Sequence, residues 1–281
     1  MDLRIATCRP LPEADADEEL LLAALARRGI RARMAGWNDP AEDWSAAVPT
    51  LIRSTWDYIH DLPRFLAWAE RVANVAPLWN PLWVLQQNVH KRYLVALAER
   101  GIPTVPTALV ERAARTSIAE LTRTRHWTRL MVKPAVGASS YGARRFEAHE
   151  HAAAQQHLDA LLARGDVLVQ PYLESVEGHG ERALVWIDGE LTHAVRKNPR
   201  FAAGHESVSA AIAIEADERE LALRALAPYA QQILYARVDV ARAADGKPRV
   251  MELELVEPSL FLRQCPASSE RLVAALLRRL A

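Results

Sequence analysis

The chain has 281 residues, about twice the usual length of one domain, so the sequence predicts two or three subdomains. Hydrophobic residues make up 50% and charged residues 25% of it, a balance that excludes a disordered or fibrous chain. Lysine plus arginine and aspartate plus glutamate each number 35. The net charge of +0 therefore gives no electrostatic reason to expect a nucleic-acid or anionic-membrane partner.

The cysteine count and the first residues bear on the compartment. Cys8 and Cys265 are too few for a disulfide framework or a zinc cluster, which indicates a reducing environment. Residues 1–8 lack the basic segment and apolar run of a signal peptide. The longest stretch without charged side chains, residues 72–90, contains Asn, Gln and Pro and is a poor membrane span. We therefore expect a cytoplasmic protein with no membrane partner.

The first third of the chain has the alternating strands and helices of a small α/β domain. Apolar runs predict strands at residues 3–8, 30–37 and 48–53. Segments rich in apolar side chains predict helices at residues 15–28 and 63–73. Strands that alternate with helices in this way favour a parallel sheet.

The rest of the chain contains more strands, at residues 104–110, 129–134, 144–147, 167–173, 182–187, 190–196, 207–214, 236–242 and 249–256. Asp188-Gly189 and Asp245-Gly246 are strong hairpin signals between neighbouring strands. Helices are predicted at residues 84–100, 116–125, 149–164 and 217–234. We expect Thr116 to cap the second of these, and Ser268 and Ser269 to cap a final helix.

Three carboxylates near the C-terminus form a candidate metal site. Glu252 and Glu254 stand two residues apart in a predicted strand, which puts both on one face. If that strand pairs across the Asp245-Gly246 turn with the strand that carries Asp239, the three carboxylates converge. Oxygen ligands without His or Cys suit Mg²⁺. The alternative is a half-exposed strand whose glutamates only face solvent.

Lys133 and the loop that follows it are candidates for phosphate binding. Lys133 ends a predicted strand, and the segment from Gly137 to Gly142 consists of Gly, Ala, Ser and Tyr. Small residues let backbone N–H groups approach phosphate oxygens, and a lysine adds a point charge. The segment matches neither the Walker nor the dinucleotide fingerprint, so an ordinary hairpin turn is the alternative.

Other residues stand where a nucleotide could use them. Lys91 lies at a helix turn, and Arg196 and Lys197 end a predicted strand. The extended connector from Gln170 to Leu173 can present backbone donors and acceptors to an adenine edge. Each of these features also has an ordinary structural explanation, as a solvated helix or strand end or as a plain strand exit.

The segment from Arg53 to Tyr58 follows a predicted strand of the first domain. Ligands of parallel α/β sheets collect at the carboxyl ends of strands. Arg53 can clamp a substrate carboxylate and Asp57 can hold an amino group, with Trp56 or Tyr58 beside the pocket. Alternatively, the two aromatic residues belong to the core and Arg53 pairs with Asp57.

In this order and spacing, the lysines, the small-residue loop, the connector and the carboxylates resemble the ATP-grasp ligases, over roughly residues 80 to 262. The resemblance is closest to the glutathione-synthetase-like members. Several phrases look more specifically like the branch that contains the D-cycloserine-forming ligase. They are Arg53-Ser-Thr-Trp-Asp-Tyr58, Gly180-Glu181, Asp188-Gly-Glu190, His193-Ala-Val-Arg-Lys197 and Glu252-Leu-Glu-Leu-Val-Glu-Pro258.

The resemblance implies an α/β fold with an α+β C-terminal part. A small parallel α/β domain (residues 1–84) precedes a central ATP-grasp lid (85–168) and a C-terminal ATP-grasp subdomain (169–281), with ATP between the last two. Its implied contacts to ATP are Lys91, Lys133, Gly137, Ser139, Ser140, Gly142, Gln170, Tyr172, Leu173 and Glu181. Its implied Mg²⁺ ligands are Asp239, Glu252 and Glu254, with Arg196 and Lys197 as catalytic residues. The expected substrate contacts are Arg53, Ser54, Trp56, Asp57 and Tyr58.

Two positions depart from the pattern of the glutathione synthetases. Glu254 stands where their second metal-binding strand usually has Asn, although Pro258 keeps its spacing. Ala183 stands two residues after the acid equivalent to Glu181, where those enzymes have Arg. Arg182 or Arg196 is the candidate for supplying the missing cation.

The implied function is an ATP- and Mg²⁺-dependent ligase that forms a C–N bond between a small carboxylate and an amine through an acyl phosphate. A closed lid would keep water from that intermediate. The fold is compatible with a homodimer, although no residue marks an interface. Two alternatives keep the fold: a phosphotransferase that releases a stable phosphorylated product, and a non-catalytic ATP-binding protein.

Overall fold

The computed structural model describes residues 2–198 and 207–280, which form three β-sheets with helices packed on their faces. The helices are α1 (Glu18–Arg27), α2 (Leu62–Val75), α3 (Leu82–Asn88), α4 (Tyr93–Glu99), α5 (Ile118–Arg125), α6 (His151–Leu162), α7 (Ala216–Leu226) and α8 (Pro266–Leu280). The strands are β1 (Asp2–Thr7), β2 (Arg31–Gly36), β3 (Thr50–Ser54), β4 (Leu78–Trp79), β5 (Ala108–Val110), β6 (Leu130–Pro134), β7 (Arg144–Phe146), β8 (Val167–Pro171), β9 (Glu181–Ile187), β10 (Glu190–Asn198), β11 (Ser207–Val208), β12 (Tyr235–Arg242) and β13 (Pro248–Glu254). Single 3₁₀ turns lie at Tyr58–His60 and Glu174–Val176.

The N-terminal sheet is parallel and has the strand order β2-β1-β3-β4. Both faces are buried, as expected for a parallel sheet. Leu3 and Leu51 pack in one core cluster with residues of α1 and α8. Ala6 and Ile52 pack in another with residues of α2. The parallel α/β unit predicted from the alternating pattern is confirmed.

The middle sheet is antiparallel, with the order β5-β8-β6-β7. Helices α5 and α6 share a core cluster with it, in which Ile118 and Leu158 pack with Val132 and Val169. Strand β8 crosses the position between residues 168 and 169 at which the sequence places a domain limit.

The C-terminal sheet has the order β11-β10-β9-β12-β13, with antiparallel neighbours throughout. One face packs against residues of α4 and α7. The other face carries Ala183 and Val185 in a core cluster with residues of α8, and becomes polar further along the same strands. This polar part of the face positions the candidate site.

The hairpin signal between β9 and β10 is confirmed at Asp188-Gly189. Both residues have positive φ, 44° for Asp188 and 89° for Gly189, as a two-residue type I′ turn requires. In this conformation glycine avoids the steric penalty that a Cβ would bring, and aspartate is among the residues that tolerate it.

Two predicted helices are shorter in the structure. The segment 84–100 divides into α3 and α4 because the Lys91 N–H donates to the carbonyl oxygen of Ala135 at 2.7 Å instead of continuing a helix. The segment 217–234 is helical only to Leu226, because Pro228 removes a backbone donor and disfavours helical geometry at the residue before it.

Helix starts and two strands also differ from the sequence prediction. Ser117, rather than Thr116, caps α5 by accepting the Glu120 N–H at 3.3 Å. Ser268 and Ser269 lie inside the first turn of α8 and donate to carbonyl oxygens just before them. The strand expected at 104–110 begins at residue 108, after Pro106, and the one at 207–214 is confined to β11.

Across the described part of the chain, every helix is too short or too polar to cross a bilayer.

Candidate active site

A cleft opens between the middle and C-terminal sheets and reaches the N-terminal domain. Its walls come from β6 and the loop after it, the connector after β8, and parts of β9, β10, β12 and β13. The sequence-predicted residues that line it are Trp56, Tyr58, Lys91, Lys133, Gly137, Ser139, Ser140, Gln170, Tyr172, Leu173, Glu181, Lys197, Glu252 and Glu254.

The three predicted metal-binding carboxylates lie on one face of the C-terminal sheet. Asp239 pairs directly with Glu252 across β12 and β13, and Glu254 pairs with Arg237. Directly paired residues of antiparallel strands have their side chains on the same face. Because Asp245-Gly246 joins these two strands, the shared face expected from the spacing is present in the structure. Asp239 itself is fully buried and is not part of the cleft lining.

Two lysines from different segments meet at Glu252. Lys91 Nζ lies 3.0 Å from Oε2, and Lys133 Nζ lies 2.6 Å from Oε1. Burial favours the neutral form of Glu252, but the charges of Lys133 and Lys91 outweigh it and hold the pKa of this carboxyl well below its usual range. Glu252 is therefore ionised at neutral pH, and each of its oxygens binds a lysine ammonium.

A third lysine connects two further carboxylates. Lys197 Nζ lies 2.5 Å from Glu181 Oε1 and 2.9 Å from Asp239 Oδ2. The register pairs Lys197 with Glu181 across β10 and β9, so both side chains point to the face that carries Asp239. Lys133, Lys91 and Lys197 thus approach the same polar surface from three parts of the chain.

Arg237 belongs to this site and was missed in the sequence analysis. Its Nε donates to Asp239 Oδ1 at 2.8 Å, its Nη2 donates to Oδ2 at 2.9 Å, and it also contacts Glu254. Arg237 lies opposite Val185 of β9. Val185 is two residues from Ala183, the position at which the glutathione synthetases have an arginine. The signal was available: Arg237 and Asp239 are two residues apart in a strand and so share a face.

The two arginines proposed from the sequence to replace that cation face the other way. Arg182 and Arg196 pair with each other across β9 and β10, each next to a residue of the polar face. Arg182 binds Glu215 at 2.9 Å, and the Arg196 side chain packs against Gly180. A Cβ at Gly180 would lie 2.5 Å from Arg196 Cγ, so only glycine leaves room for it. Neither arginine lines the cleft.

The pKa values of Asp239 and Glu254 shift in opposite directions, although both carboxyl groups are buried next to Arg237. At Asp239, burial opposes ionisation, but Arg237 and Lys197 outweigh it and lower the pKa to about 2. At Glu254, burial dominates: Arg237 favours the ionised form, but the charges of Asp239 and Glu252 add to the effect of burial, and the pKa rises to about 7.

The loop from Gly137 to Gly142 is tightly folded and reaches the N-terminal domain. Ser139 and Ser140 have φ of 49° and 59°, a conformation that non-glycine residues rarely adopt. Ser139 Oγ lies 3.5 Å from a Glu13 carboxylate oxygen. Gly142 is not part of the cleft lining. A Cβ added at Gly142 would lie 3.0 Å from Pro134 Cγ.

The predicted connector divides in the structure: Gln170 and Pro171 belong to β8, and Tyr172 and Leu173 follow it at an apolar part of the cleft. Gln170 is buried, and its amide donates to Thr107 Oγ1 at 2.8 Å. The Tyr172 N–H donates to the Arg129 carbonyl oxygen at 2.9 Å, which fixes the exit of the strand. Around it the cleft is lined by Val105, Met131, Leu173, Met251 and Leu253. This combination suits a flat, largely apolar ring.

Arg53 is buried away from the cleft. Its exposed fraction is 2%, its Nη2 lies 3.8 Å from Asp17 Oδ2, and its guanidinium lies over the Tyr235 ring. Asp17 in turn accepts the backbone N–H groups of Leu260 and Leu262 at 3.0 and 2.8 Å. Arg53 therefore supports the segment after β13 through Asp17.

The other polar residues of the same segment also have structural partners. Ser54 is fully buried, with its Oγ 2.9 Å from Thr7 Oγ1. Asp57 accepts hydrogen bonds from Trp37 Nε1 at 2.6 Å and from Asn38 Nδ2 at 2.7 Å. Ser54 and Asp57 do not belong to the cleft lining, whereas the two aromatic residues do.

Comparison with known proteins shows the family to which the chain belongs. Residues 3–80 match the model of the N-terminal domain of the D-cycloserine synthetase DcsG. The chain is 35% identical over 285 positions to the cycloserine biosynthesis protein DcsG of Streptomyces lavendulae, covering 95% of this chain and 94% of that protein. The chain belongs to the DcsG family.

Solved structures agree with the DcsG assignment. The crystal structure of D-cycloserine synthetase DcsG matches with a TM-score of 0.91 and 32% identity, covering 100% of both chains. The D-alanine–D-alanine ligase of Bacillus anthracis complexed with ATP has the same fold, with a TM-score of 0.68 and 16% identity over 99% of this chain and 96% of that one. The ATP-grasp fold and the ligase class inferred from the sequence are confirmed.

Four carboxylates at the DcsG-family cleft of this chain have cationic partners. The carboxylates of Glu181, Asp239, Glu252 and Glu254 are paired with Lys91, Lys133, Lys197 and Arg237. All the anionic donors are carboxylate oxygens, which fits a hard cation such as Mg²⁺.

A second group of possible metal ligands lies outside the cleft lining. His179, Glu215 and Glu218 bring their ligand atoms close together. Arg182 and Arg242 pair with both glutamates and already neutralise them. This group is an ion-pair network that does not face the cleft.

Proposed function

We propose that this chain is an ATP- and Mg²⁺-dependent ligase that activates the carboxylate of a small amino acid and joins it to nitrogen. The proposal is carried by three lysines that line one cleft together with three strand-borne carboxylates, Glu181, Glu252 and Glu254. Lys197 also binds Asp239, which is fully buried and is not part of the cleft lining. Lysines around a pocket suit a polyphosphate, and the carboxylates suit the metal that accompanies it. Since DcsG relatives match nearly the whole chain, the favoured product is D-cycloserine or a close analogue.

The chemistry needs activation because a carboxylate is a poor acylating agent. Transfer of the γ-phosphoryl group of ATP to a carboxylate oxygen gives an acyl phosphate and ADP. Attack by nitrogen on the acyl carbon then forms the amide, expels inorganic phosphate and releases a proton. In D-cycloserine the ring amide joins the carboxyl carbon to a nitrogen bonded to the side-chain oxygen, so ring closure requires an O-substituted serine.

The residues of the cleft have separate roles in this reaction. Lys91 and Lys133 would bind the phosphates of ATP, and Lys197 and Arg237 would neutralise charge on the transferred phosphoryl group. Asp239, Glu252 and Glu254 would hold Mg²⁺, which supplies Lewis-acid stabilisation when bound. The loop from residue 137 to 142 would cover the phosphates with backbone N–H groups. Gln170, Tyr172 and Leu173 would line the adenine slot, and Glu181 would reach the ribose.

A screen for ADP release tests this function. The purified protein is incubated with ATP, Mg²⁺ and amino acids, dipeptides or O-substituted serines, and the products are identified by mass. We expect ADP release that depends on both Mg²⁺ and an amino-acid substrate, and hydroxamate formation when hydroxylamine is added. A stable phosphorylated product would instead indicate a phosphotransferase, and ATP binding without turnover would indicate a non-catalytic protein.

Replacing Glu252 by Gln tests the metal and lysine assignments. Glu252→Gln removes the charge shared by Lys91 and Lys133 and one proposed metal ligand, so we expect ADP release to fall about 1000-fold or more. Circular dichroism checks that the fold is retained. The matched control is Glu174→Gln, which changes an exposed carboxylate outside the cleft lining and should keep near-wild-type activity. Wild-type-like turnover by Glu252→Gln would contradict the assignment.

A further inference from the structure

Glu257 is a buried carboxylate of the cleft to which neither the sequence motifs nor the proposed phosphate chemistry gives a role. Its exposed fraction is 8%, and it lines the cleft together with Trp56, Tyr58 and Ser259. It follows the end of β13 by three residues, so it lies beyond Glu254 along the same wall. This part of the cleft is where the C-terminal sheet meets the N-terminal domain.

Neighbouring elements hold Glu257 in place. Trp56 Nε1 donates to the Glu257 carbonyl oxygen at 3.2 Å, and the nearby Tyr58 hydroxyl favours the ionised form of its carboxyl group. Two residues further on, the Ser259 carbonyl oxygen accepts a hydrogen bond from Arg237 at 3.3 Å. The backbone of this segment is therefore fixed by Trp56 and Arg237, and the Glu257 carboxyl group lies beside Tyr58.

The charge around Glu257 is not compensated within the described residues. No basic side chain of that part of the chain makes an ion pair with it, and Lys91 and Arg237 act on it only from farther away. Burial, together with the charge of Glu254, raises the pKa of Glu257 to about 8. A carboxylate buried without a cation is costly, and a bound cation would offset that cost.

We propose that Glu257 forms the subsite that binds the protonated amino group of the amino-acid substrate, with Tyr58 orienting its carboxylate. This inference rests on the ligase function proposed above. An α-amino acid carries its ammonium and carboxylate groups on the same carbon, so the two groups lie close together. A substrate held by Glu257 therefore presents its own carboxylate toward Glu254 and Arg237, where phosphoryl transfer is proposed. The subsite selects small α-amino acids over carboxylic acids that lack the amino group.

Binding of two matched ring compounds tests the subsite independently of turnover. D-cycloserine and isoxazolidin-3-one, the same ring without the amino group, are titrated by calorimetry into the protein saturated with ADP and Mg²⁺. We expect the wild-type protein to bind D-cycloserine at least about tenfold more tightly. Glu257→Gln should lose this preference and keep its affinity for the ring without the amino group.

Glu13→Gln is the matched comparison, because Glu13 is the other carboxylate of the cleft lining near the N-terminal domain. It should retain the preference for D-cycloserine. Loss of the preference in Glu13→Gln but not in Glu257→Gln would overturn the proposal. So would equal affinity of the wild-type protein for the two rings, or no binding of D-cycloserine. Absence of ADP release with every amino-acid substrate would instead overturn the ligase function.

A second readout separates recognition from a structural role. Because Glu257 is buried without a cation, its replacement by the neutral isostere should leave the Tm of the ligand-free protein unchanged or raise it. A Tm lowered by several degrees would show that the carboxylate serves the fold and would overturn the proposal.

Discussion

Single residues of the cleft differ in how firmly they are held. Arg237 binds both oxygens of Asp239 and also contacts Glu254, so one guanidinium fixes two of the proposed metal ligands. A planar guanidinium can bind two oxygens at once, whereas a lysine ammonium is a point charge on a flexible stem. Arg237 therefore sets geometry as well as charge.

Arg237→Lys separates these two contributions. The substitution keeps the positive charge but loses the paired hydrogen bonds to Asp239, so we expect ADP release to fall about 100-fold. Arg196→Lys makes the same chemical change on the opposite face of the sheet, outside the cleft lining, and should stay within about twofold of wild type. Steady-state rates of ADP release by the two variants show which arginine serves the reaction. The reverse order of effects would favour Arg196 as the catalytic cation.

Among the elements, the edge strand β13 depends on side chains to complete its pairing. The amide group of Asn88 donates to the Leu253 carbonyl oxygen and accepts the Leu255 N–H, both at 2.8 Å. Asn80 likewise donates to the Leu255 carbonyl oxygen at 2.7 Å. These side chains take the place of a neighbouring strand. They fix the register that carries the two glutamates into the cleft.

The hairpin between β9 and β10 is tied to the C-terminal helix by charge. Asp188 lies 2.5 Å from Arg278 and 2.9 Å from Arg279. Partial burial disfavours its charge, but the hydrogen bonds and charges of Arg279 and Arg278 outweigh it and lower its pKa in the folded protein. The resulting stability is present above the pKa of the unfolded chain and disappears as pH falls through the folded pKa.

Asp188→Asn should therefore destabilise the protein in a pH-dependent way. We expect a loss of roughly 0.5–1 kcal/mol near neutral pH, because these pairs are partly exposed to solvent. The difference from wild type should shrink as the pH falls below about 4, the usual pKa of an aspartate, because the carboxyl group then becomes protonated. Urea unfolding at several pH values measures it. A difference that stays constant with pH would show that the loss has another cause.

For the molecule as a whole, the cleft exists only because three sheets meet. Lys133 comes from the middle sheet, Glu252 from the C-terminal sheet, and Trp56 from the N-terminal domain. The Gly137–Gly142 loop adds a contact between Tyr141 and His60, whose rings meet edge to face. Anything that binds in the cleft therefore stabilises the arrangement of all three parts.

A thermal-shift measurement tests this coupling. A nucleotide at about 100 times its Kd should stabilise the folded state by about 2.7 kcal/mol. For a chain of this size we expect that to raise Tm by several degrees. The non-hydrolysed analogue AMP-PNP should give this shift with Mg²⁺ and a much smaller one with EDTA. Lys133→Met should reduce the shift in Mg²⁺, since it removes a proposed phosphate contact. A shift unaffected by EDTA would contradict the metal assignment.

The sequence by itself determined the features that follow from local periodicity. The parallel first domain and the hairpin turns are readable because strand and turn rules act over a few residues. The common face of Glu252, Glu254 and Asp239 also follows, because a strand repeats every two residues and the turn between the strands is marked.

Only the tertiary structure decided which face of each strand meets the cleft. Arg196, Lys197 and Arg237 all lie in strands beside the site, yet Arg196 points away while the other two bind carboxylates. Arg53 looked like a substrate clamp, but Asp17, 36 positions earlier in the chain, holds it in the core. Contacts between distant segments depend on register and packing, and those are set by the whole core and not by any local pattern.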